Sequence, residues 1–88
     1  MQLDAAQAKG RMIAAGRMLA GLDQTDLAAA SGVSASTISN VERGRIEARS
    51  ATLKAIRKAL RENGVTLTND PTNFHISVGT TYEPTEDD

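Results

Sequence analysis

The chain has 88 residues, a formal net charge of −1 and 40% hydrophobic residues, with one Tyr, one Phe and no Trp. This length suits one small domain with a thin aliphatic core, which dimerisation would help to stabilise. The absence of Cys excludes disulfides and thiolate metal sites, and because no apolar run approaches the roughly 20 residues needed to cross a bilayer, we expect a soluble cytoplasmic protein.

Capping residues predict four helices in the first part of the chain. Each predicted helix opens at a short polar residue that can accept hydrogen bonds from free backbone N–H groups, and three of the helices are followed by Gly. The predicted N-caps are Asp4, Asp23, Ser34 and Ser50. The helices are expected to run to about Ala20, through Ser31, through Arg43 and up to Gly64. The apolar side of the first helix would contain Met12, Ile13, Met18 and Leu19.

The apolar spacing changes from helical to alternating after the fourth helix. Two short runs, VTLT and FHISV, alternate apolar with polar residues, and the turn-forming TNDPTN lies between them. This pattern predicts two short antiparallel strands. The chain therefore divides into a helical domain, 1–64, a strand pair, 65–79, and an acidic tail, 80–88, that we expect to be disordered.

Charge is distributed unevenly along the chain. All ten Lys and Arg residues lie before Gly64 together with six acidic residues, which gives this part +4, whereas the remainder has five acidic residues and carries −5. A basic body is compatible with a nucleic-acid partner. Solubility alone would also account for the division.

The second and third predicted helices flank Gly32-Val33-Ser34, and this spacing is the layout of a DNA-binding helix-turn-helix. Gly32 allows the chain to reverse its direction, and Val33 is expected to fill the corner. Short polar side chains gather on the outward side of the second helix of this motif: Ser34, Ser36, Thr37, Ser39 and Asn40. Because these residues are poor helix formers, their concentration indicates a surface that something flat and polar approaches closely.

The stretch GLDQTDLAAASGVSASTISNVERG resembles the helix-turn-helix of the lambda-repressor/Cro superfamily, also called XRE-type regulators. The resemblance covers about Ile13 to Leu60. It implies a mostly α, lambda-repressor-like helix-turn-helix domain of four to five helices with a short C-terminal antiparallel strand pair. It also implies a transcriptional regulator, expected to be a repressor, that binds double-stranded DNA at a two-half-site operator as a homodimer.

The resemblance implies roles for individual residues. Base edges would be contacted by Ala35, Ser36, Ser39 and Asn40. Of these, Asn40 is the best reader, because its amide can pair with N6 and N7 of adenine, whereas Ala35 offers only an apolar contact, so that DNA shape is expected to matter. Phosphates would be contacted by Gln24, Thr37 and Arg43, and by Arg45, which clusters with Arg43 near the end of the motif. Arg17 and Glu42 would form a partly buried ion pair that joins the first and third helices.

Enzyme activity is not expected. The chain has one His, no Cys, no Gly-rich phosphate loop and no metal-ligand spacing, and no cofactor is expected. An alternative non-enzymatic function stays open, in which the chain is an antitoxin-like interaction module that binds a toxin protein, with DNA binding secondary.

The strand pair needs cover for its apolar side, because a lone two-stranded hairpin is marginally stable in water. We expect this side, with the last helix, to form a two-fold dimer contact. The predicted dimer contacts are Val65, Leu67, Phe74, Ile76 and Val78. The competing alternative is that the strands fold back onto their own chain.

Overall fold

A computed structural model of the chain describes residues 3–80. Within this range, four helices precede a two-stranded antiparallel sheet. The elements are α1, Ala5–Leu19; α2, Gln24–Ser31; α3, Ala35–Glu42; α4, Ser50–Glu62; β1, Val65–Asn69; and β2, Phe74–Val78. This is the mostly α architecture with a terminal strand pair that the sequence predicts. The tail predicted to be disordered, 80–88, lies outside the described part of the chain except for Thr80.

The helices begin where short polar side chains satisfy the first free N–H groups. Asp4 accepts a hydrogen bond from the backbone N–H of Gln7 at 2.8 Å, and the Gln7 side chain accepts one from Asp4 in return. Asp23 and Asp26 make the same reciprocal arrangement at the start of α2. The prediction that Ser50 caps α4 is wrong. The N-cap of α4 is Arg49, whose backbone is extended and whose side chain makes no capping hydrogen bond. Ser50 is the first residue of the helix itself.

The core is aliphatic and lies between the helices and the inner side of the sheet. Its buried members are Met12, Ile13, Leu27, Ile38, Val41, Ile56, Ala59, Leu60, Val65 and Leu67. The prediction that Met18 and Leu19 also lie on the buried side of α1 is wrong, since both are exposed. Met18 is about 200° around the helix from the buried Gly16, and Leu19 is the last residue of α1.

The two strands form a hairpin that folds back onto its own chain. In the antiparallel register, Val65 is opposite Val78 and Leu67 is opposite Ile76, so that these four residues share one side of the hairpin. Val65 is fully buried and Leu67 is 5% exposed. The prediction that these two residues are dimer contacts is therefore wrong: they pack into the core of their own chain, next to α1 and α4.

The other three predicted dimer contacts remain partly accessible. Phe74 and Ile76 are half-buried, and Val78 is 52% exposed. Phe74 and Ile76 lie beside Ala8 and Met12 of α1, at a groove of about 550 Å³ between this helix and β2. A role for these three residues in a dimer stays a prediction. No helix in residues 3–80 is both long enough and apolar enough to span a membrane.

Candidate nucleic-acid interface

A tight turn connects α2 to α3. Gly32 ends α2 with a left-handed φ of 75°, a conformation that Gly adopts without steric cost. The next residue, Val33, packs against the core, and Ser34 then accepts a hydrogen bond from the backbone N–H of Thr37 at 3.1 Å. The turn therefore takes only three residues. Leu27 and Ile38, which are fully buried, hold the two helices together.

Helix α3 has an apolar inner side and a polar outer side. Ile38 and Val41 face the core. The outer side carries Ser36, which is exposed, and Ala35, Ser39 and Asn40, which are half-buried. The side chains of Ser36, Ser39 and Asn40 make no hydrogen bonds within residues 3–80, so their polar atoms are available to an external partner. The structure thus brings the four predicted base-contacting residues to one side of one helix, at the surface.

The predicted phosphate contacts near α3 lie at its two ends. Thr37, in the first turn, is half-buried and accepts a hydrogen bond from the Ser34 hydroxyl at 2.8 Å. Arg43 directly follows α3, and Arg45 comes two residues later, where its backbone N–H donates to the carbonyl oxygen of Asn40 at 3.0 Å. Both arginine side chains are exposed, and within the described residues neither forms an ion pair. They therefore add unneutralised positive charge beside the polar side of α3.

A cluster of polar side chains fixes α3 against α1 and α2. Arg17 of α1 donates to Glu42 of α3 from Nε at 2.8 Å and from Nη2 at 3.1 Å. Arg17 also donates from Nη1 to the carbonyl oxygen of Leu22 at 3.0 Å, and Gln24 of α2 donates from Nε2 to Glu42 at 3.1 Å. The hydrogen bond to Glu42, more than any other interaction, raises the pKa of the Arg17 guanidinium. The predicted partners Arg17 and Glu42 are thus in direct contact.

Gln24, a predicted phosphate contact, has a hydrogen-bond partner within its own chain. Its side chain is half-buried and bonded to Glu42. Asp23 and Asp26 flank the start of α2 with two exposed carboxylates, which oppose the attraction of a helix N-terminus for anions. The Gln24–Glu42 hydrogen bond was not anticipated from the sequence. A phosphate contact by Gln24 stays a prediction, and the residue has an internal partner as well.

Close approach of α1 also determines where α3 lies. Gly10 is buried in the middle of α1, and a Cβ added there would be 2.8 Å from the carbonyl oxygen of Glu42 and closer still to that of Val41. Any other residue would push the end of α3 away. Sequence reasoning did not assign this role to Gly10. The only signal was its position inside a helix, where Gly costs about 1 kcal/mol relative to Ala.

The comparisons with known proteins agree with this geometry. A helix-turn-helix family model, of the Cro/C1 type also called the XRE family, matches residues 13–67. The match extends from α1 through α2, α3 and α4 into β1 and covers more than half of the chain. The chain therefore belongs to this family of DNA-binding regulatory domains. A search of curated proteins gave no match.

Proposed function

We infer from this family membership that the protein is a sequence-specific transcriptional repressor. It binds a two-half-site operator as a homodimer, with α3 of each copy in the major groove. Because its partner is DNA, we assign its activity to the cytoplasm.

The outer side of α3 carries the proposal. Ser36, Ser39 and Asn40 present hydrogen-bonding groups that no residue within 3–80 satisfies, while the inner side of the same helix is buried. An ordinary solvated helix would carry longer charged residues, which favour helix formation more. Short side chains instead allow the helix backbone to lie deep in the groove, within reach of base edges.

Direct readout is assigned mainly to Asn40. Its amide can donate to N7 and accept from N6 of one adenine, a two-point contact that no other base pair reproduces. Ser36 and Ser39 each offer a single hydroxyl, and Ala35 a methyl group that can contact a thymine methyl. Because this set makes few base-specific contacts, sequence-dependent DNA shape supplies part of the specificity.

Phosphate contacts are assigned to residues at the edges of the polar side of α3. Arg43 and Arg45 supply exposed guanidinium groups, which bind phosphate oxygens in two-point fashion. Thr37 and Gln24 add neutral donors near the start of α3 and of α2. These contacts position the helix in the groove without distinguishing one sequence from another.

The dimer is assigned to the part of the hairpin that its own chain leaves accessible. Phe74, Ile76 and Val78 present apolar surface beside the groove between α1 and β2. In residues 3–80, β2 pairs only with β1, so that its second edge has no strand partner there, and a strand from another copy could pair with it. A two-fold axis at this position would relate the α3 helices of the two copies. Half-sites whose centres lie one helical turn of DNA apart, about 34 Å, would accept these helices.

Selection of binding sites from random duplexes tests the proposal. The purified full-length chain is expected to enrich an inverted repeat whose two halves are separated by about one helical turn, or a multiple of it. Asn40→Ala is the matched variant, and it should enrich a different or less defined sequence at one position in each half. Enrichment of no sequence by the wild-type chain would contradict the proposal and favour the antitoxin-like alternative.

A further inference from the structure

The outer side of α4 is strongly basic. Six residues at helical spacing line a shallow groove of about 480 Å³ along it: Ser50, Leu53, Lys54, Arg57, Lys58 and Arg61. Four of the six are cationic and none is acidic. We call this surface, with its four cations, the basic α4 face. Helix α4 packs against α2, β1 and α1, so that this face is not part of the polar side of α3.

The cations of the basic α4 face have no acidic partner within residues 3–80. The ion pairs of the described chain all lie elsewhere. Like charges three and four residues apart destabilise a helix. The helix dipole compensates this at Arg61, which lies in the last turn of α4, but not at Lys54, Arg57 or Lys58, which lie before that turn. An anionic partner would remove the repulsion along the whole face.

Arg57 shows that hydrogen-bond acceptors are missing at this face. Its Nη2 makes a long contact of 3.4 Å to the side-chain oxygen of Asn69. Its Nε is buried and has no hydrogen-bond partner among the described residues. Because a guanidinium carries five N–H donors, Arg57 can still donate to a carboxylate or phosphate at the groove.

The described chain comes to its last residue beside the end of this face. The backbone N–H of Gly79 donates to the carbonyl oxygen of Gly64 at 2.7 Å, which places Thr80 near the C-terminal end of α4. Residues 81–88, TYEPTEDD, come next and contain four acidic and no basic residues. Eight residues can extend over at most about 28 Å, whereas the seven-residue step from Arg61 back to Lys54 along the helix is only about 10 Å.

We propose that the acidic segment, residues 81–88, binds the basic α4 face of its own chain. The four carboxylates match the four cations in number, and the short tether holds the segment at millimolar effective concentration. The contact is electrostatic and salt-sensitive. It covers positive charge that lies outside the polar side of α3, and it thereby keeps α4 from binding phosphates without regard to sequence.

Paramagnetic relaxation in the full-length chain tests this contact without DNA, so that its outcome is separate from that of the proposed function. The chain has no Cys, and Thr85→Cys therefore provides a single site for a spin label. The amide signal of Lys54 is expected to be broadened at low salt. It should recover at high salt, since the Debye length falls from about 30 Å at 0.01 M to about 3 Å at 1 M.

Two matched charge variants identify the surface. Lys54→Gln with Lys58→Gln removes two cations from the basic α4 face, and Arg11→Gln with Arg45→Gln removes two exposed cations, one from α1 and one from the loop after α3. In the first variant the broadening at Leu53 should fall at least several-fold, and in the second it should persist. Amides next to Gly64 and Gly79 should be broadened in both, because the segment is attached there.

Several results would overturn the proposal. One is no broadening at Lys54 beyond that of a high-salt sample, and another is equal loss of broadening in both charge variants. Broadening of Ser36 and Asn40 in place of Lys54 would show that the segment covers α3 instead. Broadening of Lys54 in an isotope-labelled chain by a spin label carried on a separate unlabelled chain would show that the occupant is a second copy.

Discussion

Arg17 and Glu42 are joined by two hydrogen bonds that link α1 to α3 across 25 positions of the sequence. Their side chains are 16% and 6% exposed, so that both charges are largely removed from water. Such a pair is stable only when further hydrogen bonds satisfy its remaining groups. Leu22 and Gln24 do this here. The orientation of α3 thus depends on a small network of buried polar groups as well as on apolar packing.

Removing one member of this pair should destabilise the fold strongly. Glu42→Ala would leave the Arg17 guanidinium buried without its acceptor, and we expect the free energy of unfolding to fall by about 3–5 kcal/mol. Arg17→Met with Glu42→Leu should cost less than the sum of the two single changes, since no unpaired charge is left behind. Urea unfolding of wild type, Arg17→Met, Glu42→Leu and the double variant forms a double-mutant cycle that measures this coupling. Strictly additive losses would contradict it.

Two glycines of the same helix should respond differently to Ala. At Gly10 a Cβ would meet backbone atoms of Val41 and Glu42, which cannot move aside, whereas at Gly16 it would meet the end of the Leu67 side chain at 3.0 Å. Helix propensity favours both changes by about 1 kcal/mol. Overpacking typically costs about 1–3 kcal/mol, and we expect it to dominate only at Gly10. Thermal unfolding of both variants provides the comparison, and an equal stability change in the two would contradict this explanation.

The sequence predicted the local structure better than the partners of each element. Asp4 and Asp23 predicted the starts of two helices, because capping depends only on residues that are close together in the sequence. The alternation around Val65 and Leu67 identified the strands and which side of them is apolar. It could not tell whether that side packs on its own chain or on a second copy, because alternation contains no information about the partner. The prediction of a dimer contact at Val65 and Leu67 failed for this reason.

The same limit applies to the candidate interface. The motif spacing indicated α3 and the polar residues on its outer side, because turn chemistry and helical period are local. The hydrogen bond from Gln24 to Glu42 and the close approach at Gly10 depend on how α1, α2 and α3 pack. Residue type alone does not distinguish a Gln that meets a phosphate from one that meets a neighbouring carboxylate.

Substitutions at Asn40 and Arg43 should distinguish contacts that read the base sequence from contacts that position the protein on the phosphates. On the preferred site, Asn40→Ala is expected to cost about 1–3 kcal/mol of binding free energy and to relax specificity at one base pair. Arg43→Ala should weaken binding to all sequences alike and reduce the salt slope by about one unit, since one phosphate contact is lost. Gln24→Ala should also weaken all sequences alike, with an added loss of stability from its bond to Glu42.

Fluorescence anisotropy titrations on the preferred and on scrambled duplexes, at several salt concentrations, measure these effects. Thr66→Ala, an exposed change on β1 away from α3, is the control and should leave binding unchanged. An equal loss on preferred and scrambled duplexes for Asn40→Ala would remove its assigned role as a reader of the base sequence.

The hairpin turn should contribute stability that depends on pH. The pKa of Asp70 lies well below its usual range. The largest cause is the hydrogen bond with His75, at 2.9 Å, and bonds from Thr72 and Asn73 in the turn lower the pKa further. A carboxyl group whose pKa is lowered by folding stabilises the fold above its unfolded pKa, about 3.9. That contribution is lost as the pH falls below this value toward the folded pKa. The group is fully exposed, so that the effect should be small and weakened by salt.

Comparison of wild type with Asp70→Asn isolates this contribution from that of the other ten acidic residues. Asn keeps the oxygen that accepts bonds in the turn but cannot ionise. The difference in unfolding free energy between the two proteins should be present at neutral pH and should shrink steadily below about pH 4. A difference that stays constant over the whole pH range would show that the ionised carboxylate is not the cause.

The proposed dimer can be tested at Val78, the apolar residue of the two strands that is largely accessible. Val78 is 52% exposed, so that Val78→Lys should be tolerated by the fold yet place a charge within the contact. Removing the strands altogether would not discriminate, because Val65 and Leu67 belong to the core of each chain. Thr66→Lys is the matched control, since Thr66 is exposed on the opposite side of the same hairpin.

Sedimentation equilibrium of the full-length proteins should show a dimer for wild type and Thr66→Lys, and a mostly monomeric Val78→Lys at the same concentration. The same change should weaken binding to an operator with two half-sites far more than binding to a single half-site. This follows because the dimer converts the second half-site contact into an intramolecular one. A monomeric wild type at tens of micromolar, or a Val78→Lys variant that dimerises as well as Thr66→Lys, would exclude this surface. Recognition of two half-sites would then need cooperative binding of separate chains along the DNA.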